Sequence, residues 1–319
     1  MALKLKELAE RKNRFLPGHR ACPGCAAPVV IRQVLAAIEH PVVVTCATGC
    51  MEVVSTIYPY TAWGCSFMHN AFENSAATCA GIETAYRALK KKGKITEDIR
   101  FVAFGGDGGT FDIGLQALSG AMERNHNMLY VCYDNEAYMN TGIQRSSATP
   151  RGASTNTAPA GKVIPGKQQP HKDLTAIMVA HNIPYVAQAA PHNWRDLTTK
   201  AAKAADKQGA AFMNIFAPCY RGWRAKMEES IELSRLAVET CFWPLYEVED
   251  GVYKLNYKPK EKLPLTSYIE KQGRFAHLLK PENRELLAAL QRDVDTRWER
   301  LLRRCEEDDG SQGAEQGTE

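Results

Sequence analysis

The sequence predicts an α/β fold, a doubly wound, mainly parallel sheet followed by a C-terminal arm of helix and hairpin. Three observations predict it. Short apolar runs at residues 42–45, 101–104, 128–133 and 212–216 have the length and composition of strands buried on both faces. Stretches with apolar residues at helical spacing separate them, at 29–38, 75–89, 112–125 and 194–207, which gives the alternation of a parallel sheet. A glycine turn, Gly105-Gly106-Asp107-Gly108-Gly109, joins one strand to the next helix. Backbone without Cβ atoms can turn sharply there and approach a ligand closely.

In chain order, residues 1–19 form a polar arm. It is charged throughout and has no apolar core of a signal peptide, so export is not expected. No apolar run reaches the ~18 residues of a bilayer span, so no membrane role is expected. The chain has 319 residues, 45% hydrophobic and 24% charged, which is ordinary for a globular protein. A net charge of +4, with basic residues scattered, makes no case for nucleic acid. The ten cysteines are then expected in a reducing, cytoplasmic setting, where paired cysteines are metal or redox ligands before they are disulfides.

Cys22-Pro23-Gly24-Cys25 places two sulfurs on one tight turn. Alone it suits a redox dithiol, half a zinc site or an iron-sulfur ligand pair; a zinc ribbon would need a second C-x-x-C, which the sequence lacks. Cys50 and Cys219 each follow an apolar strand. Four thiolates from one turn and two strand ends suit a 4Fe-4S cluster, against the competing reading of scattered buried thiols. Cys79 and Cys132 fall in core patterns, Cys241 and Cys305 look incidental, and Cys46 and Cys65 stay unassigned. Residues 69–74 introduce the small-residue helix 75–89, and His69 is expected to be a hydrogen-bonded structural residue.

Asp107 and Asn135 end two successive strands. A carboxylate and an amide oxygen there suit Mg²⁺, a hard cation that takes few protein ligands and shares the rest with a diphosphate. The helix after the glycine turn would offer N–H groups to that diphosphate. Residues 138–170 form a loop rich in Ser, Thr, Ala, Gly and Pro, long enough to be functional or to wrap a partner. A capped helix at 173–181, a strand at 185–187 and the helix 194–207 complete one domain at 20–225. The arm, 226–308, carries a helix at 226–241, a hairpin at 246–255 with an Asp-Gly turn, and an amphipathic helix from Pro281; no chemistry is visible in it. Residues 309–319 are expected to be disordered.

Taken together, Cys22-Pro23-Gly24-Cys25, Cys50, Gly106-Asp107-Gly108, the stretch 133–146 and Ala217-Pro218-Cys219 resemble, in that order, the β subunit of a 2-oxoacid:ferredoxin oxidoreductase, most closely pyruvate synthase. The resemblance spans residues 15–225 and implies a thiamine diphosphate-binding fold. It implies that Asp107, Asn135 and the Ala137 carbonyl hold Mg²⁺, and that Cys22, Cys25, Cys50 and Cys219 hold a 4Fe-4S cluster. It further implies that Thr48, Gly106, Gly108 and Thr141 face the diphosphate, and that Asn140 lies near the reacting thiazolium and the substrate. Asp134 stands where the commonest thiamine signature has asparagine, with the ligand position kept.

The family oxidatively decarboxylates a 2-oxoacid to acyl-coenzyme A and CO₂, passing electrons through the cluster to ferredoxin. Its activating glutamate comes from the partner α chain, and neither Glu52 nor Glu73 matches that role, so an α subunit is expected, with γ or δ subunits or both. Gly64-Cys65-Ser66-Phe67-Met68 replaces the Pro-Trp pair usual in pyruvate enzymes, which leaves room for a branched-chain or aryl 2-oxoacid or oxalate. A decarboxylase without iron and a nonenzymatic zinc-binding scaffold are the alternatives from other classes.

Overall fold

In the computed structural model, backbone is described for residues 4–315 and side chains as far as 308. The elements in order are α1 (Leu5–Glu10), α2 (Ala27–Ala37), β1 (Val42–Ala47), α3 (Cys50–Ser55), β2 (Ser66–Asn70), α4 (Ser75–Lys91) and β3 (Arg100–Gly106). A π-helical turn, Gly108–Ile113, then precedes α5 (Leu115–Glu123), β4 (Leu129–Asp134), α6 (Leu174–Val179), β5 (Tyr185–Ala189), α7 (Trp194–Asp206) and β6 (Ala211–Phe216). After these come α8 (Tyr220–Trp223), α9 (Ser230–Glu239), β7 (Tyr246–Glu249), β8 (Val252–Leu255), α10 (Thr266–Ile269) and α11 (Arg284–Glu315). No helix among the described residues is long and apolar enough to cross a membrane.

The strands make one sheet in the order β2-β1-β3-β4-β6-β5-β7-β8. From β2 to β5 all neighbours are parallel, and β7 and β8 add antiparallel at the edge. The apolar runs explain the centre: every residue of β4, β5 and β6 is buried. On one face, α2 and α7 cover the sheet through Val30, Ile31, Val34, Leu197 and Ala201. On the other, α4, α5, α6 and α11 contribute Cys79, Leu118, Met178 and Trp298. A third cluster, around Phe216, Trp223, Trp243 and Phe275, joins the C-terminal arm to the carboxyl end of the sheet.

Chain order reverses between β1 and β3, since β2 lies on one side of β1 and β3 on the other. Ligands of open α/β sheets bind at such a switch point, outside the carboxyl ends of the strands. Four neighbouring strands, β1, β3, β4 and β6, end there, leading to Cys50, Asp107, Asn135 and Cys219.

The structure sharpens or corrects the expected elements at several points. Residues 66–70 form the edge strand β2; most of its side chains are exposed, so no apolar run betrayed it. The helix expected at 112–125 is split into the π turn and α5, the Gly114 N–H closing the wide turn by donating to the Gly109 carbonyl at 2.8 Å. The hairpin belongs to the main sheet, with Asp250 (φ +51°) and Gly251 (φ +88°) making the expected turn. Cys241 and Cys305 are buried, like Cys79 and Cys132. Helix α11 runs to Glu315 and so into the tail expected to be disordered, while residues 316–319 lie outside the described residues.

Candidate cofactor site

Asp107 sits at the end of β3 with its side chain fully buried. Oδ1 accepts the Asn135 N–H at 3.3 Å and Oδ2 accepts the Ser146 hydroxyl at 2.5 Å. Burial, with Asp134 close by, holds the Asp107 carboxyl well above the usual carboxylate range. Without a countercharge, burial thus favours its neutral form. The Asn135 carboxamide completes the geometry. With its nitrogen turned inward it donates to Asp107 Oδ1 at 2.9 Å and to the Ala137 carbonyl at 2.8 Å. Asp107, Asn135 and Ala137 therefore converge on one point. Turning the amide oxygen inward presents a carboxylate, an amide and a main-chain oxygen, a donor set that fits Mg²⁺.

The wall around this point is a shallow cleft of about 20 Å³, lined by Thr48, Gly49, Cys50, Gly106, Asp107, Gly108, Tyr133, Asn135, Ala137, Asn140 and Thr141 among others. Glycine is required at 108, where a Cβ would lie 2.4 Å from the Tyr138 ring. Thr48 lies on the rim, its hydroxyl donating to the Asn70 carbonyl at 2.8 Å. Asn140 and Thr141 are exposed.

All four expected cysteines line one second cavity of about 310 Å³. The fold brings them there from separate elements. Cys22 and Cys25 share a turn closed by the Cys25 N–H donating to the Cys22 carbonyl at 3.0 Å. Gly24 in that turn has φ +77° and packs under the Met227 carbonyl, where a Cβ would come within 2.3 Å. Ala26 N–H donates to the Pro218 carbonyl at 3.4 Å, which ties the turn to the end of β6 beside Cys219. Cys50 opens α3 directly after β1. Burial pushes the Cys25 thiol up to about 12, with smaller contributions from Cys219 and Cys22. Cys50 is raised further, by burial first and then by the other three sulfurs, and Cys219 is raised by burial. Four thiols lining one cavity are a donor set that fits an iron-sulfur cluster. Among the described residues, no three or more His, Cys, Asp or Glu side chains gather as they would around a single metal ion.

Cys50, Asn135, Met139 and Asn140 line both cavities. Around them stand residues that the sequence reading did not single out. Ser146, from the long loop, holds Asp107, and Lys167 braces that loop through the Ser147 and Pro170 carbonyls at 3.0 and 3.3 Å. Trp223 Nε1 donates to the Asn135 carbonyl at 2.9 Å. Their only signal was position: Trp223 ends the stretch beginning Ala217-Pro218-Cys219, and Ser146 ends the stretch 133–146. His69 Nδ1 lies 2.9 Å from Glu52 Oε1. Cys46 is buried in the core, and Cys65 is half-buried beside the Arg14 guanidinium.

The family model described as "Thiamine pyrophosphate enzyme, C-terminal TPP binding domain" matches residues 33–215. The chain is 51% identical to pyruvate synthase subunit PorB of Thermotoga maritima over 95% of its own length and 96% of the relative's. It is 52% identical to the PorB subunit of Methanocaldococcus jannaschii, covering 84% and 91%, and 43% identical to ketoisovalerate oxidoreductase subunit VorB of Pyrococcus abyssi, covering 92% and 94%. Its fold is shared with a 2-oxoglutarate:ferredoxin oxidoreductase from Magnetococcus marinus, with a TM-score of 0.55 at 22% identity over 70% of this chain and 79% of that one. A thiamine-binding family model over more than half of the chain, and relatives half-identical over nearly all of it, place this chain in the family of thiamine diphosphate-binding β subunits of 2-oxoacid:ferredoxin oxidoreductases, of the pyruvate synthase type.

Proposed function

We propose that the chain acts on pyruvate, with Asp107, Asn135 and the Ala137 carbonyl holding the Mg²⁺ of thiamine diphosphate and Cys22, Cys25, Cys50 and Cys219 holding a 4Fe-4S cluster. The observation that carries this reading is the common wall: the cavity of the four cysteines and the cleft of Asp107 share Cys50, Asn135, Met139 and Asn140. When bound, thiamine diphosphate supplies the electron sink that lets a 2-oxoacid lose CO₂, and the cluster takes the electrons singly. The chain's own residues do the positioning. Asp107 supplies the negative charge that fixes the metal, and Thr48, Gly106, Gly108 and Thr141 bring the diphosphate against it. Asn140, exposed on the shared wall, presents its amide to the substrate.

Among the described residues, neither cavity is lined by a glutamate. Glu52 is held by His69 and Glu136 by Arg274. This supports an α subunit that closes the open side and brings the activating carboxylate, with γ or δ subunits completing the path to ferredoxin in the cytoplasm. Pyruvate is preferred because the identity is higher to the pyruvate synthase subunits of Thermotoga maritima and Methanocaldococcus jannaschii, 51% and 52%, than to the ketoisovalerate subunit, 43%. The purified complex is expected to reduce ferredoxin with pyruvate and coenzyme A, and the isolated chain to give no turnover. Full turnover by the chain alone would contradict the shared site. A higher kcat/KM for a branched-chain 2-oxoacid would contradict the substrate.

A further inference from the structure

The C-terminal arm carries the most deeply buried arginine of the fold, Arg274, which is 2% exposed. Its guanidinium reaches 138 residues back along the chain to Glu136, 0% exposed, at 2.5 Å. Glu136 lies between Asn135 and Ala137, the two proposed Mg²⁺ ligands that follow β4, and has φ +66°. A residue with a Cβ holds that conformation only where its surroundings enforce it. The surroundings are explicit. The Glu136 N–H donates to Asp134 Oδ1 at 2.9 Å, and the Glu136 carbonyl accepts the Thr149 hydroxyl at 2.6 Å. Arg274 also stacks on the Trp223 ring at 3.9 Å, and the same indole donates to the Asn135 carbonyl. Gln272 and Tyr268 are both buried: Gln272 Oε1 accepts from Arg274 Nε at 2.9 Å, and the Tyr268 hydroxyl accepts from Nη2, the nitrogen that also pairs with Glu136, at 3.3 Å. Both the Asn135 and the Glu136 carbonyls are thus engaged, while the Asn135 side chain lies between Asp107 and the Ala137 carbonyl.

We propose that Arg274 is a positioning residue for the Mg²⁺–thiamine diphosphate site: by pairing with Glu136 and stacking on Trp223, it clamps the 135–137 turn so that both ligands point at Asp107. This rests on the proposed function and deepens it. The arm is then more than packing. It sets the metal geometry from the far end of the chain, and it does so without touching substrate or cofactor.

The test uses the purified complex and two variants. Glu136→Gln with Arg274→Met removes both charges together, so neither is left buried without a partner; Arg274→Lys keeps the charge but loses the planar stack and the fork. Mg²⁺ is titrated calorimetrically with thiamine diphosphate present. The expected result is an apparent Mg²⁺ affinity weakened by about tenfold or more in the double variant and by less in Arg274→Lys, in line with lost support behind a metal ligand. The iron-sulfur absorbance and the melting temperature of the metal-free complex should stay unchanged, and kcat should recover at saturating Mg²⁺. Wild-type Mg²⁺ affinity in the double variant would overturn the clamp. If the double variant does not fold, Arg274→Lys decides, with wild-type affinity overturning the clamp and weakened affinity at unchanged metal-free melting supporting it. Failure of the unaltered complex to bind Mg²⁺ and thiamine diphosphate would instead overturn the proposed function, and the clamp with it.

Discussion

Asp107→Asn should weaken Mg²⁺-dependent thiamine diphosphate binding by at least about 100-fold, while leaving the metal-free protein as stable as before or more so. The two halves of this expectation come from the same burial. Among the three groups at the proposed metal position, Asp107 is the one carboxylate, so an amide in its place leaves only neutral donors for a divalent cation. Without the metal the carboxyl is desolvated and faces Asp134, which is why its ionisation is pushed upward. A neutral side chain of the same shape removes that cost: its oxygen can still accept the Asn135 N–H while its amide nitrogen donates to the Ser146 hydroxyl. Thiamine content after gel filtration and the melting shift on adding Mg²⁺ with thiamine diphosphate measure both halves. Wild-type cofactor retention in the variant would place the metal elsewhere. A large fall in metal-free melting temperature would mean that Asp107 is kept for the fold.

Cys219→Ala should release the cluster iron and bring pyruvate-dependent ferredoxin reduction down to background, yet leave thiamine diphosphate bound. The expectation follows from the lining of the two cavities. Cys219 borders the larger cavity and does not line the Asp107 cleft. Its removal takes away one sulfur without altering the metal turn. Cys50 differs, since it lines both and opens α3 immediately beside Thr48. Cys50→Ala is therefore expected to disturb thiamine binding as well as iron. Iron, sulfide and thiamine contents of the two variants, measured on anaerobically purified complex, separate the roles. Iron retained in Cys219→Ala would remove that residue from the ligand set.

Much of this was legible because strand ends write themselves into sequence. An apolar run that stops at Gly-Asp-Gly, at Asp-Asn or at Pro-Cys says which residues stand at the mouth of a parallel sheet. The order of the strands then makes β1, β3, β4 and β6 neighbours, so residues from 50 to 219 meet. Edge strand β2 was not legible, because a strand with exposed side chains has no apolar run. The π turn was missed for a related reason: helical spacing in 112–125 does not register that the backbone ahead of it is wound wide. Least legible was the arm. A buried Arg274 looks in sequence like any solvent-facing arginine, and its partner Glu136 lies 138 residues away. Only the tertiary packing of Trp223, Tyr268 and Phe275 around it shows that the charge is inside the protein. Cys241 and Cys305 teach the same lesson in small, since an isolated cysteine in a helical pattern carries no sign of which face is covered.

The central claim is that this one chain places an iron-sulfur cluster against a thiamine site. The most direct measurement is anaerobic purification of the complex carrying either the native chain or its Cys22→Ser, Cys25→Ser variant, with iron, acid-labile sulfide, zinc and thiamine determined alongside the visible spectrum. Loss of about four iron and four sulfide per chain in the variant, with fading of the broad iron-sulfur absorption and thiamine retained, is the predicted result. A colourless native chain holding one zinc, or equal iron in both preparations, would contradict it.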